Sequence, residues 1–337
     1  MADVPADPVA PPDRDAVTGG ERRRRRGRRG ERAVVPDARF TSYYGKPVLN
    51  KPTWAARDIA GYLFLGGLAG ASSVLAAGAE LTGRPALAKG CKAGALVAIS
   101  GSLYALVHDL GRPARFLNML RVVKPSSPMS VGSWLLVAYG PQAGLAAVTA
   151  LTGRFSVLGR VATFGAALVG PAVASYTAAL ICDTAVPSWH EGHREMPFVF
   201  VGSAASAAGG LGLLVAPVDQ AGPARRAALV GGAVELVATE VMVRRMGLAA
   251  EPLRTGRGGR LVKAAAALTA TGAVLGGVLG RRSRAAAVLG GLASLAGSAC
   301  TRFGVFHAGV ASAEDPKYVV RPQRERQASR GAPTAAT

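Results

Sequence analysis

Long stretches with almost no charge recur along this chain, and short polar segments that carry most of the charges separate them. Eight such stretches occur, at Ile59–Ala79, Ala93–Val107, Met129–Gly153, Val161–Cys182, Met196–Val218, Ala227–Val243, Ala264–Gly280 and Ala285–Ala313. Most have the roughly 20 residues with which a helix crosses a bilayer's hydrocarbon core. They do not alternate, and they exceed the roughly 10 residues of a membrane barrel strand. The pattern predicts an all-α integral membrane protein, an eight-transmembrane-helix bundle without room for a separate soluble domain.

The two ends of the chain differ from this apolar middle. Residues 1–39 are rich in Pro, Asp, Gly and Arg, with a run of five arginines at Arg22–Arg26. This composition predicts a disordered basic N-terminal tail. The first apolar run lies too far from the arginines, and is too long, to make the tail a secretory signal. We therefore expect a membrane domain over residues 40–313 and a polar C-terminal tail over residues 314–337, disordered after Arg321.

Small residues at four-residue spacing within the apolar stretches predict close helix packing. Gly66 with Gly70 and Gly276 with Gly280 have this spacing. Such pairs let helix backbones approach where no hydrophobic effect drives association. The abundance of Gly and Ala in the whole composition is the alternative explanation. The three cysteines, Cys91, Cys182 and Cys300, show no CxxC spacing and are predicted to be apolar packing residues.

Basic residues decide the predicted orientation. The formal net charge is +20, although half of the residues are hydrophobic. With eight spans both ends lie on one side. The predicted loops there are long, His108–Pro128, Asp183–Glu195 and Arg244–Lys263, and they carry 11 Lys and Arg against 10 in the opposite loops. The ends are less balanced, with 13 basic residues before Ile59 and 5 after Ala313. Cytoplasmic loops and tails are enriched in Lys and Arg, so both termini are predicted to be cytoplasmic. A nucleic-acid role for the arginine run is the less simple alternative.

Polar side chains gather at the end of the predicted bundle that faces the two termini, the tail-side end. They are Asp58, Tyr62, Tyr104, His108, Asp109, Tyr176, Asp183, Glu240, Arg302 and His307. An ionisable group in hydrocarbon costs at least about 2.5–3.5 kcal/mol unless it is paired or hydrated. The cluster therefore predicts a hydrated pocket, and Glu235 and Arg302, which lie deeper, predict a buried pair. Interfacial groups that simply reach water are the alternative.

Several contiguous motifs resemble a known family. They are Tyr62-Leu-Phe-Leu-Gly-Gly-Leu-Ala-Gly70, His108-Asp-Leu-Gly-Arg-Pro-Ala-Arg-Phe-Leu-Asn-Met-Leu120, Lys124-Pro-Ser-Ser-Pro-Met-Ser-Val-Gly-Ser-Trp134, Tyr176-Thr177 and Asp183-Thr-Ala-Val-Pro-Ser-Trp-His-Glu191. Together they resemble the NrfD/polysulfide reductase membrane-subunit family, over roughly Tyr43 to His307. The block from Asp109 to Ser130 is the most specific part, because it is long and contiguous.

The resemblance implies a quinone-reactive membrane anchor of a multi-subunit oxidoreductase. Such a subunit binds menaquinone or ubiquinone beside a ferredoxin-like iron–sulfur subunit, which exchanges electrons with a molybdenum-type catalytic subunit, for example one like formate dehydrogenase. It implies a place in electron transport of the plasma membrane, as in anaerobic respiration, and no activity of the subunit alone. The family carries no haem or iron–sulfur cluster in this subunit. A haem between His108 and His307 is the alternative.

Quinol oxidation releases two protons with two electrons, which assigns roles to the polar cluster. The ring oxygens need hydrogen-bond donors, and Tyr62 and Tyr176 are suited to this, with Asp109 as a further binding residue. Proton acceptors are also needed, and the candidates are Asp58, Asp183 and His108. Glu240 and Arg302 are expected to shape the local field. Asp58 and Tyr176 are the leading assignments.

The segment after the second stretch alternates basic and apolar residues. Arg112, Arg115, Arg121 and Lys124 interleave with Pro113, Phe116, Leu117 and Met119. We expect it to dock an acidic ferredoxin-like partner, with anionic lipid headgroups as the alternative. Trp54, Trp134 and Trp189 are predicted as interface anchors, and Trp189 with His190 also as partner contacts.

Two other functions and one conflict remain open in the sequence. A secondary transporter would place its polar site at mid-depth between repeated halves, and no such repeat is evident. A purely structural anchor would not need Asp58, Tyr176 and Arg302. In several members of the family the partner subunits, with the tail side, face away from the cytoplasm, whereas the basic tail here predicts a cytoplasmic face.

Overall fold

The computed structural model describes residues 48, 49, 52–112 and 114–331, and all regular structure within them is helical. Twelve α-helices follow one another: α1 Ala56–Leu81, α2 Pro85–Asp109, α3 Arg115–Met119, α4 Pro128–Thr152, α5 Ser156–Cys182, α6 Pro187–His190, α7 Met196–Val215, α8 Gly222–Arg245, α9 Glu251–Arg254, α10 Gly256–Gly272, α11 Arg284–Glu314 and α12 Lys317–Gly331. A π-helical turn, Ala273–Val278, and a 3-10 turn, Leu279–Arg281, prolong α10.

Seven of the described helices are long and apolar enough to cross a membrane: α1, α2, α4, α5, α7, α10 with its extension, and α11. The chain is therefore a multi-pass membrane protein. The eighth predicted stretch forms α8, which is long but more polar. It carries Glu235 and Glu240 within it and arginines at both ends. These charges explain why α8 differs from the other seven, because each one makes burial in hydrocarbon costly.

Proline and glycine mark several helix boundaries. Pro128 lies in the first turn of α4, where its missing N–H costs nothing, and the Ser127 hydroxyl caps the helix by accepting from the backbone N–H of Ser130 at 3.5 Å. At the other end Gly153 takes a left-handed conformation, with φ of 70°. The local sequence thus ends this helix close to where the apolar stretch ends.

Helices α1 and α7 form the centre of the membrane domain. In their most apolar windows 67% of the residues are buried, against 33% in α2 and α4. Helix α1 packs against α2, α5 and α7, while α7 packs against α8 and α4 packs against α5. A residue on α1 can therefore contact several helices that are distant in sequence.

Glycines at helix crossings bring backbones into contact. A Cβ added to Gly70 of α1 would lie 2.3 Å from the Gly170 carbonyl oxygen of α5, and one on Gly290 of α11 would lie 2.1 Å from the Gly276 backbone nitrogen. The predicted close approach is confirmed at Gly70 and Gly276. Their partners, Gly170 and Gly290, did not stand out in the sequence.

Two sequence predictions were wrong about regular structure. The segment Arg244–Lys263, predicted as a long loop, contains the 3-10 turn Gly247–Ala250, the short helix α9 and the start of α10. The chain after Arg321, predicted to be disordered, continues as α12 to Gly331, since the polar residues there are mostly helix formers. The predicted N-terminal tail, residues 1–39, lies outside the described residues.

The cysteines behave largely as the sequence predicted. Cys91 and Cys182 are buried, Cys300 is partly exposed, and all three are free thiols. Cys91 lies on α2 and Cys182 ends α5, both among apolar neighbours of the core.

Candidate functional site

A cavity of about 100 Å³ lies between α1, α2, α4 and α5, near the ends where α2 and α5 finish. That is several times the roughly 10–15 Å³ that one water molecule needs on the same measure. Its lining is mainly apolar, with polar groups from Trp54, Tyr62, Asp109, Ser133 and Tyr176. An apolar cavity with a few convergent polar groups is the usual form of a small-molecule site. The sequence-predicted residues Tyr62, Asp109 and Tyr176 therefore meet in one place.

Tyr176 of α5 is the most informative residue in the wall of this cavity. Its side chain is 8% exposed, and its hydroxyl has no hydrogen-bond partner among the described residues. Buried hydroxyls are normally hydrogen-bonded, because an unsatisfied one costs about 1–3 kcal/mol. An unpaired hydroxyl in the wall of a cavity marks a position where a ligand or water accepts a hydrogen bond from it.

Asp109 connects the cavity to the start of α1. Its Oδ1 accepts a hydrogen bond from the Ala55 backbone N–H at 3.3 Å. Ala55 precedes α1, whose first N–H groups have no partner within the helix. Asp109, from the end of α2, therefore fixes the beginning of α1, which carries Tyr62 one and a half turns further on.

A hydrogen bond joins the Asp58 and His108 side chains beside the cavity. The Asp58 Oδ2 lies 2.9 Å from the His108 Nδ1, and the Asp58 side chain is 14% exposed while that of His108 is 61% exposed. The Tyr104 ring stacks on the imidazole with centroids 5.8 Å apart. Asp58 lies four residues before Tyr62 and hence on the same face of α1. The pair links this face to water.

The remaining predicted residues are not in the cavity. Asp183 follows the last residue of α5 and is exposed. Glu240 is exposed on α8, pairs with Arg244 at 2.6 Å and lines a different groove. Arg302 is fully buried, although its Nε donates to the carbonyl oxygen of Leu63, a cavity residue, at 3.4 Å. The predicted cluster therefore divides into two sites.

The second site surrounds Glu235 of α8, which is 2% exposed. Its carboxyl accepts hydrogen bonds from Thr269 of α10 at 3.2 Å and from Thr301 of α11. Arg302 is the neighbouring positive charge, and its Cζ lies 3.7 Å from the centre of the Phe200 ring. The predicted pairing of Glu235 with Arg302 is thus a proximity of two buried ionisable groups, which no direct hydrogen bond joins in the described part of the chain.

Trp189 does not anchor the protein at the membrane interface. It is 1% exposed, its Nε1–H donates to the Val305 carbonyl oxygen at 2.8 Å, and its ring stacks on Trp54 with centroids 6.0 Å apart. Gly309 fits against its face, where a Cβ would lie 1.9 Å from Cε2. The prediction for Trp189 was wrong, whereas Trp54 and Trp134 are partly exposed. Since Trp54 also lines the cavity, Trp189 supports one of its walls.

A bidentate ion pair holds the connection between α5 and α7 against the end of α8. Arg245 donates from Nε to Glu195 Oε1 and from Nη2 to Oε2, each at 2.6 Å, and also donates to the Glu191 carbonyl oxygen. These hydrogen bonds hold the pKa of the Glu195 carboxyl below its ordinary value. Sequence spacing gave no sign of this pair, because its members are 50 residues apart.

A family model described as "Polysulphide reductase, NrfD" matches residues 50–248, which is more than half of the chain and includes both tyrosines of the cavity. None of the curated proteins matches the chain. Within the described residues no group of three or more His, Cys, Asp or Glu side chains is arranged to hold a metal ion.

Proposed function

Since the chain belongs to the NrfD, polysulphide reductase family of oxidoreductase membrane subunits, we propose that it binds menaquinone or ubiquinone in the cavity between α1, α2, α4 and α5. The buried, unpaired hydroxyl of Tyr176 is the observation that carries this proposal. A quinone offers a ring oxygen that accepts a hydrogen bond and an apolar body. The cavity offers the matching donor within apolar walls.

The residues around the cavity have distinct roles in this proposal. Tyr176 and Tyr62 donate to or orient the ring oxygens, and Asp109 holds the start of α1 in place. When bound, the quinone supplies two-electron, two-proton redox chemistry. Asp58 accepts a proton on the face of α1 that carries Tyr62, and His108, which is largely exposed, passes it to water. Asp183, exposed at the end of α5, is a further proton acceptor toward the surface.

Electron exchange needs a partner close to this cavity. We propose that a ferredoxin-like iron–sulfur subunit docks on residues 112–124. The basic residues of this segment, Arg112, Arg115, Arg121 and Lys124, are all exposed. Leu117, Val122 and Val123 are exposed beside them at 67%, 61% and 68%. Basic and apolar groups on one surface favour an acidic protein partner. That partner would connect to a molybdenum-type catalytic subunit.

The topology in this proposal has eight spans. Helix α8 is the eighth, because it packs along α7 and its buried carboxyl is held by α10 and α11. Polar residues inside membrane bundles face other helices in this way, because exposing them to lipid is costly. An even number of spans puts both ends of the chain on one side, and the basic N-terminal segment favours the cytoplasm.

Quinone binding to the purified, full-length protein tests the proposal. The protein in lipid nanodiscs is titrated with short-chain menaquinone and ubiquinone analogues, and Tyr176→Phe is compared with Tyr104→Phe, whose ring is exposed outside the cavity. A lost hydrogen bond of about 0.5–1.5 kcal/mol raises the Kd of Tyr176→Phe by about 2- to 13-fold. Tyr104→Phe should bind like the wild type. Absence of binding by the wild-type protein would favour a structural anchor, and equal binding by both variants would place the quinone elsewhere.

A further inference from the structure

The buried carboxyl of Glu235 lies outside the proposed quinone cavity and has no role in it. Glu235 belongs to α8, and its carboxyl lies against α7, α10 and α11. Thr269 and Thr301 donate to it, and the Ser203 hydroxyl of α7 faces it while bonding Ser298 of α11 at 2.8 Å. Hydroxyl groups are the only direct partners of this carboxyl among the described residues. They can donate to a carboxylate and accept from a carboxylic acid.

Opposing influences act on the carboxyl of Glu235. Burial among helices penalises the carboxylate, whereas the hydrogen bonds from Thr301 and Thr269 and the charge of Arg302 favour it. Arg302 itself has Nη1 without a hydrogen-bond partner among the described residues, and its Nη2 donates to the Phe200 carbonyl oxygen at 2.8 Å. Arg302 is thus held by backbone groups and does not lock Glu235 in a bidentate ion pair. In the described part of the chain, no salt bridge ties this carboxyl to one protonation state.

A groove connects Glu235 with the surface. It has a volume of about 340 Å³ and runs between α8, α9 and α10, with Glu235 and Thr301 among its lining residues. At its outer part lie Glu240, Arg254 and Lys263, all exposed. These three and Arg302 are the charged groups that face Glu235 or its groove. The groove thus extends from exposed ionisable groups to a carboxyl that is 2% exposed.

We propose that Glu235 is a proton-exchange site, separate from the quinone cavity, that takes up and releases a proton through the groove between α8 and α10. The proton adds to a carboxylate oxygen of Glu235 and leaves from it to water in the groove. Arg302 sets the affinity for this proton by its positive charge. Because Arg302 also bonds the Leu63 carbonyl oxygen in the cavity wall, it lies between the two sites.

An apolar carbodiimide tests the exchange directly, because it reacts with protonated carboxyls in apolar surroundings. The full-length protein in liposomes is treated with dicyclohexylcarbodiimide over a series of pH values, and the modified residue is identified by mass spectrometry. We expect modification of Glu235 that falls at least about tenfold from mildly acidic to mildly alkaline pH, as the carboxyl loses its proton. This measurement uses the wild-type protein, so it does not require any variant to fold.

Three variants assign the signal. Glu235→Gln should abolish the modification, while Glu80→Gln, a matched change on α1 at a carboxyl that pairs with Lys92 at 3.1 Å, should leave it intact. Arg302→Met should extend the modification to higher pH, because the positive charge that favours the carboxylate is gone. A Glu235 that is unmodified at every pH is a fixed ion, and one that is modified equally at every pH is a permanently neutral group. Either result would overturn the proposal, and quinone titration of the same preparation judges the quinone site independently.

Discussion

The ring of Tyr176 on α5 lies directly against the backbone of Gly132 on α4. A Cβ built on Gly132 would be 2.2 Å from Tyr176 Cε2, closer than any real contact. The absence of a side chain at residue 132 is therefore what gives the tyrosine its place in the cavity wall. A glycine on one helix positions a hydroxyl that belongs to another.

Gly132→Ala is expected to move Tyr176 and weaken quinone binding. The added methyl group must push the ring away, since the contact involves the ring itself rather than a flexible end. Titration of the variant with a short-chain quinone analogue should give a Kd raised at least as much as by Tyr176→Phe, about 2- to 13-fold. Gly140→Ala on the same helix, where a Cβ meets nothing within 4 Å, is the control. Equal affinity of the two alanine variants would argue against Tyr176 as a ligand.

Gly70→Ala is expected to destabilise the membrane domain. Its Cβ would meet the backbone carbonyl of Gly170, which cannot rotate away, so α1 and α5 must separate. Overpacking of this kind costs about 1–3 kcal/mol. Thermal unfolding in detergent should show a lower Tm for Gly70→Ala and little change for Gly78→Ala, a position on the same helix with open space. A stable Gly70→Ala would mean that the two helices do not cross at this point.

Asp58→Asn is expected to slow electron transfer with quinol while leaving the protein assembled. Asparagine keeps the shape of the side chain and can still accept a hydrogen bond from His108, but its amide cannot act as a proton acceptor. Loss of a general base reduces such a rate on the order of 10²-fold. Quinol oxidation by the assembled complex provides the measurement, and Asp183→Asn provides the comparison. A larger effect at Asp183 would make the exposed carboxylate at the end of α5 the principal acceptor.

Glu195→Gln is expected to lower stability at neutral pH but not in acid. The Glu195 pKa is held below its ordinary value of 4.5 in the folded protein by Arg245. Its stabilising contribution is therefore complete above about pH 4.5 and is lost as the pH falls through the lower folded value. The free energy of unfolding, measured against pH, should be higher for the wild type than for Glu195→Gln by about 1 kcal/mol at neutral pH, and the two should converge in acid. Glu240→Gln is the control, because it removes an exposed pair with Arg244. Its stability should differ little from that of the wild type at any pH.

Reversal of two charges on the basic segment is expected to release the iron–sulfur partner. Arg112→Glu combined with Arg115→Glu would present carboxylates to an acidic surface, and like charges across an interface are repulsive. Co-purification with the partner subunit should be lost. Arg154→Glu combined with Arg160→Glu reverses as many exposed charges, one in the connection between α4 and α5 and one near the start of α5, at the other end of these helices. Equal co-purification of both double variants would leave lipid headgroups as the contact of the segment.

The cavity could be predicted in part because its polar residues lie near helix ends. Tyr62 lies in the second turn of α1, Asp109 ends α2, and Tyr176 is close to the end of α5, so up-and-down helices bring them to the same level. Depth in a bundle follows from position along each helix, at 1.5 Å per residue. Rotation about the helix axis does not follow so simply. Glu235 and Glu240 are five residues apart and hence about 140° apart around α8, so one is buried while the other faces outward.

The sequence by itself determined that long apolar helices cross the membrane, roughly where each begins and ends, and which family the motifs belong to. Those properties are local, because hydrocarbon length, proline and glycine act within a few residues. Only the tertiary structure decided that Gly70 meets Gly170, that Trp189 is buried under Trp54, and that the predicted polar cluster is two sites. Contacts between helices depend on how each one is rotated against neighbours far away in sequence, and that rotation is set by packing of the whole bundle.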